Sequence, residues 1–418
     1  MARRSLLRCF AATLVALAAG CSDGDTDAAE AMRPSPTTTT TSTTTSSTTT
    51  TTTTTTLPPD VVAIDAVLDA LTDRDVARQL VVFGASGPAP ATSISDALGD
   101  VCVGGVFVTK NVGNWEPAES LDAATAAIEV IADAGEPCAA PPFITTDAEP
   151  GTRVLKVPVE PLPTPASLEA GFAANPDTSA VLADAERFAG ELAAAGVHVN
   201  LGVVADIDVA DGFYMDREGR SLGSDPVAVD LLARSLVDGH CLAGVGATLK
   251  HFPNQGSTVE DPHREDSFSV NDYDAWLGLG ATPYLETSAP LVMTGHIRYA
   301  DVDGGLPASL SPEITTGWLR DTLGYDGVII TDDLHTMQGV AQFAPAERGV
   351  AAVAAGADLA LYVATDDATA VVDAIVDRMA VDADFAESAR RSAARVLRLK
   401  GALGLLPGVD ADWFELCG

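Results

Sequence analysis

Eight short, nearly continuous apolar runs set the strongest limit on how this 418-residue chain can fold. They span residues 79–84, 104–108, 143–147, 197–201, 247–251, 291–296, 328–332 and 358–363. Continuous hydrophobicity over about five residues suits parallel strands buried on both faces. Amphipathic stretches lie between the runs, at 121–134, 178–195, 226–242, 346–356 and 368–379, and several end on a glycine that suits a helix C-cap. Strands alternating with crossover helices predict a (β/α)8 TIM-type barrel. An open doubly wound sheet is the alternative, but neither G-x-G-x-x-G nor a P-loop follows the first run. A closing Arg-rich helix is expected over 385–404.

The first sixty residues do not share this pattern. Arg3, Arg4 and Arg8 precede an apolar run, and Ala18-Ala19-Gly20 precedes Cys21. That order reads as a lipoprotein-type signal peptide over 1–20, with Cys21 as the lipidated first mature residue. An ordinary signal peptide is the alternative. Residues 21–59 are dominated by a Thr/Ser/Pro tract that cannot form a packed core, so a disordered tether is expected. The barrel is assigned to 60–418. A formal net charge of −35 excludes a nucleic-acid partner, because phosphate binding needs clustered Lys and Arg. Cys102, Cys138, Cys241 and Cys417 lack metal-type spacing. Three pairings are open to them, of which Cys102 with Cys138 and Cys241 with Cys417 is preferred.

Polar residues stand at the C-terminal ends of the apolar runs: Asp147, Asn200, Lys250, His251, His296 and Asp332. In a barrel those ends converge on one mouth, where active sites are built. Taken singly, each has an ordinary explanation, since a lone Asp after a strand is often a helix N-cap. Six at matching ends of different strands are harder to dismiss. Asp332 can act as a nucleophile if its neighbours keep it ionised. Strand alternation turns Asp333 the other way, toward a backbone-fixing role. In Asp261-Pro262-His263 a carboxylate beside an imidazole makes a proton shuttle, against the plain alternative of a surface turn. Arg220 precedes a helix that starts with Asp225 as N-cap and Pro226 at its first position. His251, Asp261 and His263 could gather a zinc ion, but Lys250 beside them disfavours it; no metal or cofactor is expected.

The chain resembles the family 3 glycoside hydrolases, specifically their single-barrel β-N-acetylglucosaminidase (β-hexosaminidase) branch, over about residues 64 to 407. Lys250 to His263 is similar to the family's Lys-His-Phe-Pro-Gly-His-Gly followed by Asp-Ser/Thr-His. Arg220 to Pro226 is similar to Arg-Ser-Phe-Gly-x-Asp-Pro, Thr331 to Met337 to Ser-Asp-Asp-Leu-x-Met, and Asp147 to Arg153 to Asp-Gln-Glu-Gly-Gly-Arg. The resemblance implies Asp332 as nucleophile and His263, paired with Asp261, as general acid/base. It implies that Asp147, Arg220, Lys250 and His251 hold the sugar, with Asp206 and His296 as further candidates. Departures fall at Asn254-Gln255 in place of Gly-His, at Pro262 in place of Ser or Thr, at Ala148 and Pro150, and at Leu222.

The function so implied is an exported retaining glycosidase. It would remove terminal β-linked N-acetylglucosamine from cell-wall or chitin-derived oligosaccharides through a glycosyl-Asp332 ester. The expected partners are a β-linked amino-sugar oligosaccharide and the membrane, through a lipid on Cys21, with the enzyme a monomer. The alternatives are a β-glycoside phosphorylase, a β-glucosidase of the same fold, or an inactive glycan-binding surface protein.

Overall fold

The computed structural model describes residues 59–85, 90–108, 121–155 and 157–417. The expected signal peptide, the lipidation site Cys21 and the Thr/Ser tract lie outside the described residues. Each predicted run carries a strand: β1 Val81–Ala85, β2 Gly105–Val108, β3 Phe143–Thr146, β4 Val199–Val204, β5 Gly246–Phe252, β6 Leu291–Thr294, β7 Val328–Thr331 and β8 Ala360–Tyr362. All pair in parallel, in the order β7-β6-β5-β4-β3-β2-β1-β8. The seam between β7 and β8 closes through a parallel bridge from Ile330 to Leu359. There Thr331 N donates to Leu359 O at 2.9 Å and Leu359 N to Ile329 O at 3.0 Å. The (β/α)8 expectation is met.

The helices form where their end signals predict. Asp225 accepts from Val227 N and Ala228 N with Pro226 at the first position, and Pro226–Leu242 follows. Asp382 accepts from Phe385 N and starts Ala383–Ala402, the expected closing helix.

Strand alternation divides the core in two. Phe143, Val199, Leu201, Leu291, Met293, Val328, Ile330, Leu359 and Leu361 fill the barrel interior. Ile144, Val292, Ile329, Ala360 and Tyr362 face the helices. The closing helix plugs the base, because Val396 and Leu399 join the interior cluster. Lys400 beside them is fully buried and donates to Gln79 Oε1, Val103 O and Ala140 O. Burial with no carboxylate partner holds its ammonium pKa well below the usual value.

Both preferred disulfides are present. Cys102–Cys138 spans 36 residues and Cys241–Cys417 spans 176. The first staples the approaches to β2 and β3; the second fixes the C-terminal turn, where Trp413 Nε1 also donates to Cys241 O at 2.8 Å. Closing a loop removes entropy from the unfolded chain. Replacing Cys102 and Cys138 together by Ser is expected to lower unfolding free energy by about 2–4 kcal/mol, measured by denaturant titration.

Candidate active site

Strand alternation decides which side chains reach the barrel mouth. Phe143 points inward, so Thr145 and then Asp147 follow on the same face, as Val328, Ile330 and Asp332 do along β7. Gly246 also faces inward, since a Cβ there would meet Val199 and Leu291, and this parity carries through Thr248 to Lys250. The same step of two takes Asp147 on to Glu149, which is only 2% exposed.

Glu149 is the centre of a buried charge cluster. Arg220 donates to it twice, from Nε to Oε2 at 2.9 Å and from Nη2 to Oε1 at 2.6 Å. Lys250 Nζ lies 2.7 Å from Glu149 Oε1 and 2.7 Å from Asp147 Oδ1. Two cations face two carboxylates, so the charges balance, with Asp147 the one member partly open to water. Burial works against the Glu149 carboxylate, but Arg220 and Lys250 outweigh it and hold its pKa well below the ordinary range. Asp147 is raised, by burial and by the Glu149 carboxylate beside it, against the pull of Lys250. Asp147, Arg220 and Lys250 were expected here. Glu149 was not singled out from the sequence, although its spacing from Asp147 at a strand end was a usable signal.

A register shift in the β5–β6 pairing between Leu249 and Phe252 accompanies the arrival of His251 in the mouth next to Lys250. His251 Nδ1 donates to Asp206 Oδ2 at 2.7 Å, and Arg220 Nη2 stands 3.5 Å from Nε2. Asp206 is wholly buried and also accepts from Gln255 N. Asp206 is therefore the brace behind His251. Of the two departures at 254 and 255, the Asn254 side chain supports this brace, whereas Gln255 reaches Asp206 only through its backbone N–H. Asn254 Oδ1 accepts from Ile207 N at 2.9 Å and its Nδ2 donates to Ile207 O at 3.1 Å, tying the loop after β5 to the loop after β4. Gly256 permits the approach, because a Cβ there would lie 2.2 Å from Ile207 O.

Asp332 Oδ2 lies 4.0 Å from His251 Nε2. Asp333 N donates to Asp332 Oδ1 at 2.8 Å. Burial would raise this carboxyl, yet the His251, His296 and His263 imidazoles and the Asp333 N–H bring it down to about 2. Asp332 is thus ionised at neutral pH. His296 contributes as a dipole, since burial lowers its own pKa. Its Nε2–H is donated to Asp333 O at 3.0 Å, while Nδ1 accepts from Ser309 Oγ at 2.8 Å. Both ring nitrogens of His296 are engaged and its side chain is buried, so it supports the β7 loop. Asp333 fixes backbone as expected, accepting from His335 N, Thr336 N and Val363 N. Asn200 braces the β3 end, bonding both the N–H and the C=O of Ala148.

The His263–Asp261 pair stands on the long loop after β5. His263 Nδ1 donates to Asp261 Oδ1 at 2.9 Å, which leaves Nε2 free of that bond. Pro262 does not disturb the pair. Asp261 also accepts from His263 N at 3.0 Å. The Tyr214 hydroxyl lies 3.2 Å from His263 Nδ1 and bonds Asp261; burial, first, and the Asp261 and Asp332 carboxylates raise it to about 12. Tyr214 is another residue that sequence reasoning missed. The His263 side chain is 52% exposed, far more than the buried cluster opposite. Among the described residues, no group of three or more His, Cys, Asp or Glu is arranged to hold a metal ion.

Asp208, beyond Asp206, has a buried Oδ1 without a partner. Burial, and the Asp216, Asp206 and Glu169 carboxylates around it, raise it to about 7 against a bond from Ser221.

The sequence profile described as "Glycosyl hydrolase family 3 N terminal domain" matches residues 72–399. A "Beta-hexosaminidase" from Bordetella avium is 31% identical over 343 residues, which is 80% of this chain and 88% of that protein. "Beta-hexosaminidase LpqI" from Mycobacterium tuberculosis is 30% identical over 342 residues, 79% of this chain and 83% of that one. The crystal structure of a beta-N-acetylhexosaminidase from Beutenbergia cavernae superposes with a TM-score of 0.71 at 30% identity. It covers 79% of this chain and 99% of its own.

Two outcomes follow from the charges. Glu149→Ala leaves Arg220 and Lys250 buried and short of a partner, so it should cost about 3–5 kcal/mol of unfolding free energy. Asp208 has a folded pKa above its unfolded value, so its contribution is complete below about pH 4 and is lost as pH rises through about 7. Asp208→Asn should remove that decline from melting curves taken between those pH values.

Proposed function

The chain belongs to glycosyl hydrolase family 3, and we propose that it is a β-N-acetylhexosaminidase. In this reading it removes terminal β-linked N-acetylglucosamine from cell-wall or chitin-derived oligosaccharides with retention of configuration. The observation that carries the proposal is an ionised, buried Asp332 at the mouth that also holds a His263–Asp261 pair.

In the first step an Asp332 carboxylate oxygen attacks the anomeric carbon. The bond to the leaving oxygen breaks, and His263 Nε2 gives that oxygen its proton. Asp261 stabilises the imidazolium that this requires. A glycosyl-Asp332 ester results. In the second step His263 Nε2 takes a proton from water, the hydroxyl oxygen bonds to the anomeric carbon, and the ester C–O bond breaks to return the carboxylate. The sugar is held by Asp147, Arg220, Lys250 and His251, whose charges are already paired and therefore cost little to present to neutral hydroxyls. The basic start, apolar run and small residues before Cys21 support export and lipid anchoring outside the membrane.

A phosphorylase is the second reading. After its proton has left, His263 carries no negative charge to repel phosphate, so phosphate could take the place of water in the second step. A binding-only reading gives no role to an ionised Asp332 together with a His263–Asp261 proton shuttle.

The deciding assay is release of 4-nitrophenol from the N-acetyl-β-glucosaminide and from the β-glucoside by the full chain, with and without phosphate. Turnover of the acetamido sugar is expected, falling to background in Asp332→Asn and by about 10²–10⁴-fold in His263→Ala. Sugar-1-phosphate formed only when phosphate is present would replace hydrolysis by phosphorolysis. No turnover of either sugar by the folded wild type would overturn the enzyme reading.

A further inference from the structure

We propose that Arg298 is a positioning residue that sets the acid/base loop against the Asp332 loop. It rests on the assignment of His263 made above.

Arg298 follows β6 and touches three loops of the barrel mouth. Its backbone clamps the loop that carries His263: Arg298 N donates to Ser267 O at 2.9 Å, and Ser269 N donates to Arg298 O at 2.9 Å. Its guanidinium then divides three ways. Nη2 lies 3.2 Å from Asp266 Oδ1 on the same loop, Nη1 donates to Gly305 O at 2.6 Å, and Nη2 donates to Gly339 O at 2.9 Å. Gly339 belongs to the loop after β7. Its N–H donates to Pro262 O at 3.3 Å, directly before His263. Gly339 also abuts His296, where an added Cβ would lie 2.8 Å from the His296 Cβ. His296 in turn donates to Asp333 O. A continuous set of contacts therefore runs from the Asp332 loop through His296 and Gly339 to Pro262, with Arg298 holding Gly339 and the His263 loop together.

The chemistry of the clamp is unusual for a merely structural cation. Arg298 is 7% exposed, yet among the described residues its one carboxylate partner, Asp266, is largely in solvent, and its Nε is buried without a partner there. A buried guanidinium so sparsely paired costs folding free energy. What it supplies is geometry: one rigid plane with donors fixed toward two different loops. Loop position matters here because acid/base catalysis depends on hydrogen-bond reach to the departing oxygen, and an error of about 1 Å is costly. His263 is half exposed and held by Asp261 and Tyr214, so its place in the mouth also depends on where the loop that carries it sits.

The test separates positioning from general damage by leaving group. A 2,4-dinitrophenyl glycoside departs without a proton, whereas N,N′-diacetylchitobiose needs one. The wild type, His263→Ala, Arg298→Ala, Arg298→Lys and Asp266→Asn would be compared on both by kcat/KM. Azide would be added as a second-step nucleophile that needs no base, attacking the anomeric carbon as the Asp332 ester bond breaks. His263→Ala should lose far more on chitobiose than on the dinitrophenyl sugar and should form glycosyl azide. Arg298→Ala should repeat that pattern in smaller measure, losing on the order of ten- to a hundredfold more on chitobiose, and azide should restore part of its kcat. Arg298→Lys should recover some of the difference. Asp266→Asn removes one exposed tie and serves if Arg298→Ala does not fold; a weaker version of the same selectivity is expected. Equal losses on both substrates without azide rescue, or wild-type behaviour in every Arg298 and Asp266 variant, overturns the clamp alone. If His263→Ala itself shows no leaving-group dependence, the acid/base assignment falls and takes the clamp with it.

Discussion

A single carboxylate, Glu149, holds the buried side of the mouth together. It takes two bonds from Arg220 and a third contact from Lys250, so it fastens the segment after β3 to the loop after β4 and to the end of β5. None of the three charges could stay buried alone. Asn200 fixes the Ala148 peptide next to it, and the pairing of Glu149 with Lys250 leaves Asp147 at the edge of the cluster, partly exposed. The rest of the mouth is arranged on this neutral, rigid platform.

The two halves of the mouth are built to different standards. On one side the groups are buried, doubly bonded and braced from behind, as His251 is by Asp206. On the other, the His263–Asp261 pair stands on a long loop with half its imidazole in solvent. A glycosidase has reason for this asymmetry. Under the mechanism proposed above, the terminal sugar is fixed to direct attack at one carbon, while the acid/base group admits first a leaving alcohol and then a water molecule.

Much of this was legible in the sequence because strand alternation is a strict rule. Once 143–147, 247–251 and 328–332 are read as strands, Asp147, Lys250 and Asp332 share the mouth and Asp333 turns away. Disulfide pairing was open to three choices, and the preferred one stands. Other residues were hidden for physical reasons. Glu149 lies just past a strand in a segment whose conformation depends on partners some 70 residues on. His296 looks like its neighbours at the strand ends, and only the positions of Ser309 and Asp333 O show that both its nitrogens are taken. Tyr214 and Arg298 act through loops whose meeting no local pattern foretells. At the departure Asn254 an amide side chain pairs with the Ile207 peptide group and ties two loops together, which no local pattern shows.

Both disulfides lie at the end of the barrel opposite the site. Cys102 and Cys138 precede β2 and β3, and Cys241 and Cys417 join the helix before β5 to the C-terminal turn. Among the described residues, no loop at the mouth carries a disulfide. The molecule therefore has a welded chassis and an unwelded face. The departures at 254, 255 and 262 all lie on this disulfide-free face. Such a separation lets residues at the mouth change at small risk to folding.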